Sequence, residues 1–400
     1  MEGLTFGRDV LTRIGGSPYL RGPMKITIHG HGSLSAAGAT SAAAHAACVA
    51  GKQCWSVDEE TGLPVYRIGE LPAHAAIETF ADKHQPDRAT LLALHAADRA
   101  VSGAGWAGRD FAILVGCSRG PTGSWEEAFG HYAESGEARL RTSPRTTLGS
   151  LGFALADYFG VRSLSDGLSV TCSSGMHAIL HGIALLRSGM VERVLVGGTE
   201  APLTTFTLRQ MEALRIYARV PDDGRPACRP LANPPSGMVV GEGAAFFALS
   251  LAPDDDKPGI HALTFARERQ ASLTGISPEG EGLQRTMREA VALAGRPDFV
   301  VAHAPGTPRG DTAERAALAA VFGDHQPAIR SFKWATGHTF GASGPLGICA
   351  ALSAMRAGEL PYSPYLETEA EQQPEQFHRA LVNATGFGGN VISVVVGLAR

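Results

Sequence analysis

The sequence predicts an α/β protein of two similar halves, each a mixed, mostly parallel sheet covered by helices. Two observations carry this. Short apolar runs of strand length alternate with longer helical stretches along most of the chain. That alternation breaks at "APDDDKPG" (252–259), charged and bearing Pro and Gly, and then resumes with a similar rhythm. A third observation is length: 400 residues suffice for two cores or one duplicated architecture. The expected halves are residues 24–251 and 258–400, a duplication of rhythm without a residue-level repeat. Residues 1–23 read as a leader or extension, because "MKITIHGHG" from Met24 has the look of a natural start.

The elements follow in order. "KITIHG" is a β-branched strand running into a glycine turn, and the Ala-rich "TSAAAHAACVAG" and "RATLLALHAADRAVSGAG" are helical. "FAILVGCS" is an apolar strand, and "TTLGSLGFALADYFG" a helix. "LSVTCSS" begins as a short strand and turns abruptly into the helix "GMHAILHGIALLRSG", after which "RVLVGGTE" is again a strand. The second half repeats the pattern with "IHALTFARER", "GLQRTMREAVALAG", "DFVVAHAPG", "DTAERAALAAVFG", a glycine-rich loop, "GPLGICAALSAMRAG" and the final strand "VISVVVGLA".

Composition narrows the function. Charge is nearly balanced, 35 Lys+Arg against 39 Asp+Glu with a formal net of −4, which argues against nucleic-acid binding. No apolar run approaches the roughly 20 residues needed to span a bilayer. Six cysteines at irregular spacing, without a CxxC pair or a signal peptide, favour reduced thiols in the cytoplasm and no structural zinc.

Four loops carry unusual chemistry, each beside a strand end, where function sits in open α/β sheets. In "TCSSGMHAILHG", Cys172 is set for a helix N-terminus, where free N–H groups and the dipole lower a thiol pKa from its ordinary value of about 8.5. Taken alone, a cysteine at a strand–turn is more often a packed residue. In "VVAHAPGTPRGDTAE" (300–314), His303 leaves a strand, with Thr307, Asp311 and Glu314 following at a helix start. "SFKWATGHTFGASGPLG" (331–347) places Lys333 and His338 in tightly folded backbone, and "NATGFGGN" (383–390) sets Phe387 among Gly386, Gly388 and Gly389.

Taken together, these motifs give a resemblance. The chain, from about Met24 to Arg400, resembles the β-ketoacyl-acyl carrier protein synthases, condensing enzymes of fatty acid and polyketide synthesis with a thiolase fold layered α/β/α/β/α. "TCSSG" is similar to the family's nucleophile motif, and "GGTE" (197–200) to the strand that follows it. "GMVVGEGAAFFALS" (237–250) is similar to its GEGA signature. "HAPGTPRGDTAE" is similar to its HGTxTxxGDxxE loop, "KWATGHTFGASG" to its KxxxGHxxGAxG loop, and "GFGGN" to its C-terminal gating turn.

The resemblance implies Cys172 as the acyl-carrying nucleophile, with His303 and His338 stabilising the malonyl-derived enolate. Lys333 and Glu314 organise those histidines. The backbone N–H groups of Cys172 and Phe387 form an oxyanion hole, and the Phe387 ring is a gate. Thr307, Gly386 and Gly388 are implied as contacts to the substrate arm. It implies no metal or redox cofactor, substrates carried on the phosphopantetheine of an acyl carrier protein, and a homodimer or a heterodimer with a chain-length-factor-like homologue. "CSRGPTGSWEEAF" (117–129) replaces the usual turn near the acyl pocket, and a type II polyketide or aryl-polyene role fits as well as fatty acid elongation. The rival is a non-catalytic, chain-length-factor-like subunit, which usually lacks the nucleophilic cysteine. Arg209, Arg215 and Arg219 are spaced to share a carrier-docking region, or are ordinary solvated charges. His177 and His181, one helical turn apart, suggest either a metal pair or helix packing.

Overall fold

A computed structural model describes residues 25–268, 275–366 and 368–399. The expected leader, 1–23, lies outside them. The first half contains β1 (Ile26–Ser35), α1 (Ser41–Val49), the short hairpin β2 (Ser56–Val57) and β3 (Pro64–Val65), α2 (Ala75–His84), α3 (Arg88–Gly103) and β4 (Ala112–Gly116). It continues through α4 (Thr122–Ser135), α5 (Thr142–Arg145), α6 (Ser150–Phe159), β5 (Ser165–Leu168), α7 (Ser174–Arg187), β6 (Arg193–Glu200), α8 (Thr205–Ala213) and β7 (Gly243–Ser250). The second half contains β8 (Gly259–Arg267), α9 (Glu281–Ala294), β9 (Phe299–Val301), α10 (Pro308–Phe322), β10 (Ala328–Arg330) and α11 (Lys333–Thr336). It ends with α12 (Ser343–Ala357), α13 (Thr368–Glu371), β11 (Arg379–Gly386) and β12 (Asn390–Gly397).

The duplication is plain in the strand order, which runs β10-β9-β11-β12-β8-β1-β7-β6-β4-β5. In the first half β5, β4 and β6 are parallel, while β7 runs against both β6 and β1. In the second, β10, β9 and β11 are parallel, and β12 runs against both β11 and β8. Each half therefore has four strands in one direction and one reversed. The two are joined into one sheet where β1 meets β8 at Ile26–Ile260 and Thr27–Gly259.

Strand periodicity then builds the layers, because successive side chains leave opposite faces. Val194 and Val196 of β6 point to a central core shared with Ile179 and Ile183 of α7 and Ile348 and Leu352 of α12. Leu195 points the other way, onto Leu92 of α3 and Leu151 of α6. In the second half Phe299 and Val301 of β9 join the central core, while Val300 packs on Leu283 of α9 and Leu318 of α10. Helices, sheet, helices, sheet, helices is the resulting order, and strands buried on both faces explain the near-continuous apolar runs.

One expectation needs correction. The glycines after "KITI" do not form a turn: β1 continues through Gly30 and Gly32. A Cβ at Gly30 would lie 2.2 Å from the Ala100 carbonyl, and one at Gly32 2.2 Å from that of Ala96. These glycines let α3 lie directly on the strand.

Candidate active site

Cys172 stands on a sharp elbow between β5 and α7. Thr171 adopts φ 49°, a left-handed conformation costly for a β-branched residue, and local hydrogen bonds hold it there. The Val170 N–H donates to Ser174 Oγ at 2.9 Å, and the Ser174 hydroxyl donates to the Thr171 carbonyl at 2.6 Å. A Cβ on Gly175 would lie 2.5 Å from the Gly341 carbonyl, so only glycine lets the two halves meet here. The helix proper starts at Ser174 with Ser173 as its cap, which leaves Cys172 just outside the first turn. Burial pushes the Cys172 thiol up to about 12; Glu200 adds to the rise, while Lys333 opposes it. The expectation of a depressed thiol is thus corrected: the resting residue is a protonated thiol.

His303 follows the end of β9 and is buried. Glu314, on the second turn of α10, fixes its backbone. The His303 N–H donates to Glu314 Oε1 at 2.9 Å, the Ala304 N–H donates to Oε2 at 2.6 Å, and Asn383 Nδ2 donates to Oε1 at 3.0 Å. Lys333 Nζ donates to the His303 carbonyl from the other side. Thr307 caps α10 by accepting from the Gly310 N–H, with Pro308 first in the helix. Burial holds the His303 imidazole well below its ordinary pKa, with Lys333 and then His338 adding to the effect. Burial also lowers Lys333, against the pull of Glu314.

His338 comes from the loop between α11 and α12. Its backbone is clamped on both sides, its N–H donating to the Val239 carbonyl at 2.7 Å and its carbonyl accepting from the Gly241 N–H at 3.1 Å. The segment leading into β7 therefore holds this histidine. Burial, then Lys333, holds His338 well below its ordinary range. The two imidazoles meet edge to face, centroids 5.2 Å apart at 83°, and Phe340 packs on His338 at 5.3 Å.

The "GFGGN" turn closes the site. The Thr171 hydroxyl donates to the Phe387 carbonyl at 3.2 Å, tying the C-terminal turn to the cysteine elbow. Cys172, His303, His338, Thr307, Gly386 and Phe387 all line one cavity of about 430 Å³. Lys333, Glu314 and Gly388 do not line it. Lys333 and Glu314 sit behind the histidines, and the Gly388 carbonyl accepts from Arg267.

The remaining residues separate. Arg215 lines the cavity, whereas Arg209 is paired with Glu212 on the exposed face of α8. His177 Nδ1 lies 3.1 Å from the Ser173 carbonyl, and its ring meets that of His181 edge-on at 6.4 Å. Among the described residues no group of three His, Cys, Asp or Glu side chains could hold a metal ion, and His181 is exposed on α7. All six cysteines are unpaired, and no helix among the described residues is long and apolar enough to cross a membrane.

Sequence reasoning missed Glu200, Asn383 and Ser343. Glu200 is fully buried beneath the elbow; burial raises it to about 7, against hydrogen bonds from the Ser118 and Gly341 N–H groups. It ends the "GGTE" run, the one signal that pointed to it.

Matched halves around two central helices, with the cysteine elbow of one half and the histidines of the other lining one cavity, define a thiolase fold. A solved ketosynthase from Xenorhabdus doucetiae, in complex with its chain length factor, superposes with a TM-score of 0.79 at 22% identity, covering 96% of this chain and 100% of that one. The models of the β-ketoacyl synthase N-terminal and C-terminal domains match residues 55–254 and 260–367, and the chain belongs to this family of carbon–carbon bond-forming acyltransferases. Nodulation protein E of Rhizobium leguminosarum bv. trifolii is 31% identical over 69% of this chain and 71% of its own length. The tetracenomycin polyketide synthase ketoacyl synthase alpha subunit of Streptomyces glaucescens is 29% identical over 56% of this chain and 57% of its own.

Proposed function

We propose that the protein condenses an acyl chain held on Cys172 with malonyl-acyl carrier protein to give a β-ketoacyl-acyl carrier protein. The observation that supports this best is the shared cavity, which Cys172, His303 and His338 all line. In the first half-reaction the Cys172 sulfur attacks the acyl thioester carbon. A C–S bond forms, the bond to the carrier's pantetheine breaks, and the thiol proton leaves with the pantetheine sulfur. In the second, the malonyl carboxyl C–C bond breaks to release CO2. The resulting enolate carbon attacks the Cys172 thioester, and the freed sulfur takes up a proton from solvent.

Neutral imidazoles suit the second step, because each offers an N–H to the enolate oxygen without burying a charge. The Cys172 and Phe387 backbone N–H groups are the proposed donors to the acyl oxyanion, and Lys333 and Glu314 are positioning residues. Thr307 and Gly386 border the path of the pantetheine arm; the proposal needs no metal or redox cofactor. Pairing with a second ketosynthase-like chain is part of the proposal, supported by the paired assembly of the Xenorhabdus relative.

Incubation of the purified protein with a panel of acyl-acyl carrier proteins tests this by intact mass. The expected result is one acyl addition on the Cys172 peptide. Acylation of Cys172→Ala at the wild-type level would reject the assignment. His303→Ala and His338→Ala should retain acyl transfer and lose malonyl decarboxylation by about 10²–10³-fold, the usual cost of one preorganised donor. Unchanged condensation in either variant overturns that residue's role.

A further inference from the structure

The Nδ1 atom of His338 lies 3.0 Å from the Ser343 hydroxyl, and that hydroxyl lies 3.1 Å from Thr339 Oγ1. Building on the function proposed above, we propose that Ser343 is a positioning residue that fixes His338 as the tautomer with its proton on Nε2. Proton counting leaves two arrangements, and the proposed reaction selects between them. A neutral imidazole has one N–H, and a serine hydroxyl has one hydrogen and two acceptor lone pairs. If Ser343 donates to Nδ1, the imidazole proton must sit on Nε2, and Ser343 still accepts from Thr339. If Nδ1 held the proton instead, Nε2 would present a lone pair to the enolate oxygen and repel it.

The surroundings leave Ser343 as the residue able to decide. Both backbone groups of His338 are already engaged, so the main chain fixes the position of the ring and the side-chain partner fixes its proton. Ser343 is itself anchored as the first residue of α12, its N–H bonded to the Phe340 carbonyl. The chain order "GHTFGAS" brings the hydroxyl one turn past the imidazole. His303 has no equivalent, since its Nδ1 is buried without a hydrogen-bond partner among the described residues. Only one of the two imidazoles therefore has its tautomer set by a side chain. Burial and the nearby Lys333 keep His338 neutral, the state in which the tautomer matters.

The test compares Ser343→Ala, Ser343→Thr and His338→Ala in the full chain. It scores acyl transfer to Cys172 separately from decarboxylation of malonyl-acyl carrier protein. Ser343→Ala should acylate normally and keep the malonyl KM, with decarboxylation kcat down about tenfold, the value of one neutral hydrogen bond. Ser343→Thr should restore the rate, because it keeps the hydroxyl and Ser343 borders a recess with Thr336 and Ala350. Wild-type decarboxylation in Ser343→Ala, alongside its loss in His338→Ala, would overturn the role of Ser343 and leave the proposed function standing. Wild-type decarboxylation in His338→Ala would sink the proposed function itself. Should Ser343→Ala not fold, the imidazole 15N shifts of wild-type protein decide: an unprotonated Nδ1 on His338 supports the inference, and a protonated Nδ1 rejects it.

Discussion

At Cys172 two opposing forces meet. The neighbouring α7 N-terminus and Lys333 favour a thiolate, while burial and the Glu200 carboxyl favour the thiol, and burial is the larger. On the proposed function, its reactivity therefore depends on losing the proton during attack, when the pantetheine sulfur would receive it. Alkylation of Cys172 by iodoacetamide, followed on its peptide, should speed up about tenfold per pH unit from about pH 7 to about pH 10. A plateau near neutrality would show a depressed thiol and overturn this account. At this scale the sequence was legible where chemistry is rare: one cysteine, two histidines and a lysine stand out against Gly-rich loops. Glu200, Asn383 and Ser343 did not stand out. Their roles exist only through folded contacts: Glu200 with the N–H groups of Ser118 and Gly341, Asn383 with Glu314, and Ser343 with His338.

At the scale of elements, the site is set by close backbone approaches rather than by long side chains. Gly386 illustrates this. Its φ is not left-handed, so what it supplies is space: a Cβ there would lie 2.3 Å from Thr171 Oγ1 and 3.1 Å from Ser173 Oγ. The neighbouring Gly388 and Gly389 serve differently, with φ of 84° and 80° in the turn itself. Gly386→Ala should push the elbow and the Phe387 turn apart while leaving the sheets intact. Acyl transfer to Cys172 should fall on the order of 10²-fold, the cost of an ångström-scale misplacement, with an unchanged melting temperature. A wild-type transfer rate would mean that the elbow does not depend on this contact. Element types were readable because apolar runs and helical stretches differ in length. The continuation of β1 through Gly30 and Gly32 was not, since only the packed α3 reveals why those glycines are there.

At the scale of the molecule, the duplication leaves two sheet edges with different fates. On the β10 edge, Arg330 is buried and its guanidinium donates to the carbonyls of Pro361, Glu369 and Gln372, so the chain's own C-terminal segment covers that side. The β5 edge has β4 as its strand partner and, among the described residues, no strand beyond it. An uncovered edge invites strand addition from another chain. Aromatic surface accompanies it. Phe153 on α6, which packs against β5, is 54% exposed. On α4, which leaves the end of β4 and buries no residue, Trp125 and Phe129 stack in the open at 5.6 Å. Scattered exposed apolar residues need no explanation, but a stacked aromatic pair on a helix without buried residues fits a covered interface. The protein should therefore sediment as a dimer, alone or with a homologous chain, and Trp125→Glu combined with Phe153→Glu should sediment as a monomer. Retention of the dimer by that variant would move the interface elsewhere. Because Cys172 and both histidines lie within one chain, the monomer would keep an intact cavity. Any loss of condensation on dissociation would then mark the partner as a support for the acyl pocket rather than a source of catalytic groups.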